Sequence, residues 1–107
     1  MAWSLLLVRF LAGLFLANGI PHFIHGMSGR PFPTPFAHPP GVGDSSPVTN
    51  VLWGFANFLG GALLLGAIAP YQPGYNGETA AAALGALVLA IVLAWHFGRG
   101  RATAGRL

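Results

Sequence analysis

Residues 18–47 read NGIPHFIHGMSGRPFPTPFAHPPGVGDSSP, and how this stretch is read decides the fold. It holds three of the four histidines, His22, His25 and His38, together with most of the prolines, and it parts one long apolar run from two others. Those runs are not flanks of a soluble domain. Apolar residues make up 54% of the 107-residue chain, charged residues 7%, and lysine is absent, whereas soluble domains carry about a quarter charged residues. So few charges cannot cover a water-facing surface, so most of the exterior must face hydrocarbon. By length the chain is one domain. It has no cysteine, which excludes disulfides, thiol redox chemistry and thiolate metal ligands.

Upstream of the stretch, residues 3–20 are apolar except for Arg9 and Asn18, close to the ~20 residues that carry a helix across a bilayer core. A start of Met-Ala-Trp-Ser, with no basic residue, and Arg9 within the run do not fit a secretory signal, so a retained span is expected. Pro21 either ends or kinks this helix, since it lacks an N–H and crowds the Ala17 carbonyl. Membrane helices tolerate proline, so the helix can continue past His25. Residues 28–47 then form a long connection in which Pro31, Pro33, Pro35, Pro39 and Pro40 forbid regular helix. Phe32 and Phe36 make it too apolar for a solvated linker, and it is expected to fold back over the helix ends. Ser46-Pro47 reads as a helix start, a serine cap followed by proline at the first helical position. A second span over 48–69, closed by Pro70, and a third over 78–98 follow. Asn76 is placed to cap the third, with Glu78 in its first turn, where negative charge suits the helix dipole. The fold class expected is therefore an all-α membrane protein with three transmembrane helices, a Pro-rich loop between the first two, and a basic tail over 99–107.

Charge sets the expected orientation. The formal net charge of +3 rests on five arginines, which form no basic face with interleaved aromatics, so nucleic-acid binding is not indicated. With the N-terminus outside and the C-terminus cytoplasmic, Arg30, Arg99, Arg101 and Arg106 lie inside and only Arg9 lies towards the other face. The aromatics agree with the span boundaries in either orientation: Trp3, Tyr71 and Tyr75 mark one interface, Trp53 and Trp95 the other.

Lipid gives helices no hydrophobic reason to associate, so close approach through small residues matters. Ala82, Ala86, Ala90, Ala94 and Gly98 recur at every fourth position of the third span. Asn50, Gly54, Asn57 and Gly61 share a face of the second, and Gly13 and Ala17 offer small surface on the first. These predict a compact bundle or docking onto other subunits, with Asn57 hydrogen-bonded across helices. Arg9 reads as a snorkelling or subunit-pairing residue, or as a contact for an anion or a quinone headgroup. The spans offer no paired charge that would couple transport.

In this topology His22, His25 and His96 reach the same membrane face, and Asn18, His22 and His25 share one stripe of the first helix. Converging imidazoles suit a metal ion, axial ligation of haem, or proton relay near a quinone. The plainer reading makes His96 a polar ring at a helix end and His22 and His25 donors to loop carbonyls. His38 reads as a loop residue.

Two segments resemble the DoxX-like membrane proteins of bacteria. Residues 6–23, LLVRFLAGLFLANGIPHF, are similar to that family's first helix with its arginine, glycine and closing Gly-x-x-His. Residues 57–70, NFLGGALLLGAIAP, followed by an alanine-rich span, are similar to its second and third helices. Family members usually have four spans, where this chain offers three. The family includes subunits attached to quinone-linked oxidoreductases, while most members have no established activity, so the resemblance adds weight to an accessory role in a redox complex of a bacterial inner membrane. Together the residues and the resemblance predict a non-catalytic accessory subunit of a larger membrane complex, partnered by lipid and by other subunits or further copies of itself. The alternative is a redox protein that binds haem, metal or quinone through His22, His25 and His96.

Overall fold

The computed structural model describes residues 3–68, 73–74 and 76–105. The expectations resting on Pro70, Tyr71, Tyr75 and Arg106 lie outside the described residues. The chain forms α1 (Trp3–Met27), two short strands β1 (Phe32–Pro33) and β2 (Asp44–Ser45), α2 (Pro47–Leu63) running into a π-helical turn (Leu64–Ile68), and α3 (Gly77–Gly105). Three helices are long and apolar enough to cross a membrane: 25 residues in α1, 20 over Pro47–Gly66 and 24 over Gly77–Gly100. The longest dimension, 47 Å, is close to the ~40–45 Å of a bilayer with its headgroups.

Local chemistry sets the helix ends. α1 runs through Pro21 and stops at Gly29, whose φ of 73° is open to a residue without a side chain. There the Arg30 N–H donates to the His25 carbonyl at 2.9 Å and the Gly29 N–H to the Gly26 carbonyl at 3.0 Å, a Schellman closure. α2 starts at the expected cap: the Thr49 N–H donates to Ser46 Oγ at 3.1 Å, with Pro47 at the first helical position. α3 is capped by Asn76, whose Oδ1 accepts from the Thr79 N–H at 2.9 Å. α3 continues to Gly105, beyond the Gly98 at which the apolar run ends.

α1 is the middle of the molecule. α2 and α3 each pack along it and, among the described residues, scarcely meet each other. Both contacts depend on close backbone approach. A Cβ at Gly13 would overlap the Ala82 carbonyl of α3, and one at Gly54 would stand 2.7 Å from the Phe23 nitrogen of α1. Gly54, Asn57 and Gly61 are buried, as expected for a packing face. The alanine ridge of α3 behaves differently. Ala86 lies against Gly13, but Ala90 and Ala94 are exposed, and the half-buried residues further along are Leu89, Leu93 and Phe97. A four-residue step turns a helix by about 400°, so a strict fourth-position row drifts about 40° per step away from a straight neighbour. Within the chain the ridge serves as a packing face only at its start.

The 28–46 connection lies at the end where α1 stops and α2 begins. β1 and β2 pair antiparallel, Phe32 opposite Ser45 and Pro33 opposite Asp44. Phe32, Thr34 and Ala37 are buried. The loop touches all three helices: Phe32 stacks on His25 of α1, Phe36 meets Trp53 of α2 edge-on, and Phe32 lies 4.6 Å from Phe97 of α3. It fills the gap between α2 and α3 at that end.

Candidate functional site

Polar residues gather at both ends of α1. Near its start, Arg9 is fully buried, with Nε donating to Glu78 Oε2 at 2.9 Å and Nη1 donating to the Leu64 carbonyl at 2.9 Å. Glu78 keeps 17% of its side chain exposed. The π-helical turn begins at Leu64, and Arg9 takes up that residue's carbonyl. The expectation of a snorkelling or subunit-pairing arginine is corrected here, as is the absence of paired charge in the spans. The start of α3 comes down beside the first turns of α1, so the guanidinium finds its carboxylate within the chain and does not need to reach for water.

At the loop end, the expected stripe on α1 is present, and each member has a partner. Asn18 Nδ2 donates to Asn57 Oδ1 at 3.0 Å, and Asn57 Nδ2 donates to the Trp53 carbonyl at 2.8 Å. His22 Nδ1 lies 2.8 Å from Asn50 Oδ1. The Asn50 amide nitrogen donates to three carbonyls, of Phe32 at 3.0 Å, Ser45 at 3.2 Å and Ser46 at 3.1 Å. Carbonyls only accept, so they fix the amide orientation and turn Oδ1 towards His22 as an acceptor. Neutral His22 therefore carries its proton on Nδ1 and presents a bare Nε2. One asparagine thus joins α1, both arms of the loop and the cap of α2.

His22, His25 and His96 do come to one region, but the loop stands among them. The Phe32 ring is stacked on His25 at 4.2 Å and meets His22 edge-on at 5.3 Å, while its neighbour Phe97 meets His96 at 5.0 Å. His96 Nε2 donates to the Gly41 carbonyl at 2.8 Å, so it holds the loop. Among the described residues no three His, Cys, Asp or Glu side chains converge on a position where a metal ion would sit. His38 is exposed on the loop.

Two cavities flank Pro33 and Gly41. The smaller, about 160 Å³, is lined by Asn18, His22, Thr34, Trp53 and His96 among others, and the buried Trp53 Nε1 has no hydrogen-bond partner among the described residues. The larger, about 980 Å³, opens at the end of the molecule and takes in His25, Arg30, Asp44, His96 and Arg99 beside the apolar surface of Phe32 and Phe97. Sequence reasoning passed over Arg30 and Asp44, which looked like loop charges, and Asn50, which looked like a packing residue. An amide in an apolar helix close to a histidine-bearing one was the available signal for Asn50.

The arrangement supplies hydrogen-bond donors, two imidazoles and two guanidiniums facing a cavity with an apolar wall. Comparison with protein-family models, with curated proteins and with solved structures finds no match to this chain.

Proposed function

We propose that this chain is a non-catalytic accessory subunit of a larger assembly in a bacterial inner membrane, with its N-terminus outside and its C-terminus cytoplasmic. The observation that carries this reading is the open arrangement of the helices: α2 and α3 both lean on α1 and scarcely touch each other. Exposed apolar side chains such as Leu52, Phe55, Leu87 and Ile91 lie on these outer helices. In lipid such a groove is filled either by acyl chains or by another helix, and helix association there follows from close packing. The polar side chains of the spans support the same reading, since Arg9, Asn18, His22, Asn50 and Asn57 join the chain's own parts. The DoxX-like resemblance, with its usual four spans, points to a partner helix in the open side and to a redox-linked complex.

Blue-native electrophoresis of mildly solubilised membranes, followed by mass spectrometry of the band that contains this chain, tests the proposal. A reproducible set of partner membrane subunits is expected. A single species of this chain alone, unchanged on crosslinking in the membrane, would end the accessory reading. A Soret band or stoichiometric metal in the purified protein, lost in His96→Ala, would replace it with the redox alternative.

A further inference from the structure

We propose that the larger cavity at the loop end is a binding site for the phosphodiester headgroup of an anionic membrane phospholipid, with Arg30 and Arg99 as its charged grip. The inference stands on the membrane placement of the helices and goes beyond the accessory role.

Position, charge and shape favour this ligand. Arg99 and Gly100 lie at the end of the apolar 24-residue stretch Gly77–Gly100, the depth at which hydrocarbon gives way to headgroups. Arg30 emerges from the Schellman closure of α1 and lines the same space. The lining holds two arginines against one acid, Asp44, so it is cationic. Guanidinium presents paired donors that match the oxygens of a phosphate, and basic pockets between membrane helices at the cytoplasmic side suit anionic headgroups. His25 and His96 add ring nitrogens beside them. Phe32, Phe97 and Val42 supply an apolar wall. That wall gives nothing to a hydrated inorganic anion, but it fits the glycerol and first methylenes of a lipid. At about 980 Å³ the cavity has room for a headgroup with its ester linkages.

Native mass spectrometry of the full chain in neutral maltoside micelles, offered equal amounts of phosphatidylglycerol and phosphatidylcholine with matched acyl chains, tests this. Preferential retention of one phosphatidylglycerol is expected. Arg30→Gln and Arg99→Gln should each weaken it about fivefold, the equivalent of one basic side chain at a membrane surface, and the pair about 25-fold if the two act independently. Both arginines are exposed, so these variants should keep the helical circular dichroism of the parent. Val42→Trp leaves the charge unchanged and crowds the apolar wall, and it should weaken retention of the lipid. Equal retention of the two lipids would overturn the proposal, as would a preference that survives in the double arginine variant. Displacement of the lipid by millimolar inorganic phosphate would assign the cavity to a free anion and overturn the lipid assignment.

Discussion

At Asn50 a single buried amide meets His22 and three loop carbonyls, and its removal takes a hydrogen bond from each of them at once. Buried groups that lose their bonds cost about 1–3 kcal/mol, so Asn50→Ala is expected to lower stability by about 2 kcal/mol in a detergent-to-SDS unfolding titration. A loss below a few tenths would show that the network contributes nothing net. The same geometry fixes a tautomer. ¹⁵N NMR of labelled His22 at high pH should show a protonated Nδ1 and a bare Nε2; the reverse pattern would mean that the Asn50 amide is turned the other way. Arg9 carries a different risk. Breaking a buried pair from one side leaves an uncompensated charge, usually costing about 3–5 kcal/mol. Because Glu78 is partly exposed, Glu78→Gln should fall at or below the low end of that range. Arg9→Met combined with Glu78→Gln should recover part of the loss, and strictly additive effects would rule out the coupling. The residue scale also shows what sequence can and cannot tell. Ser46 and Asn76 were readable as caps because a cap is a three-residue affair. The Arg9–Glu78 pair was not, since its members are 69 residues apart and meet only because α3 packs on α1.

Among the elements, the α1–α3 contact rests on places where only hydrogen fits. A side chain at Gly13 would run into the Ala82 carbonyl, so Gly13→Val should push the helices apart and cost about 1–3 kcal/mol, the usual range for overpacking. Ala94→Leu, on the exposed side of α3, should stay within about 0.5 kcal/mol. Equal effects of the two, read by the same unfolding titration, would place the contact elsewhere on α3. The difference between these alanines was hidden in the sequence because fourth-position spacing looks continuous on paper, while a real helix carries the row away from its neighbour. The loop was legible as a proline-rich stretch too apolar for water, but not in its role. Nothing in PFPTPF says that Phe32 will lie among the histidines and not over them. Since Phe32 is 5% exposed, Phe32→Ala should open the 28–46 segment to protease in detergent, at sites the parent protects.

For the molecule as a whole, the three-span reading places residues 45 and 72 on opposite sides of the membrane. Cysteines introduced at Ser45 and Gln72 should label with impermeant maleimide from opposite faces of intact vesicles, and labelling from one face only would remove that topology. Three apolar runs made the long helices legible, and too few charges for water made lipid the environment to expect. The order α2–α1–α3 was less accessible. A three-helix bundle and a three-helix row bury similar stripes, and the close contacts of Gly13 with α3 and of Gly19 with α2, on different faces of α1, decide between them.

That row has a mechanical meaning. α1 stands as a post between two leaves, and among the described residues the leaves are laced together at their extremities: by Arg9, which grips Leu64 on one and Glu78 on the other, and by the loop, which His96 ties to α3 while Asn50 ties it to α2. Between the lacings the described residues of the two leaves scarcely touch, and it is there that a foreign rod of the proposed assembly would be seated.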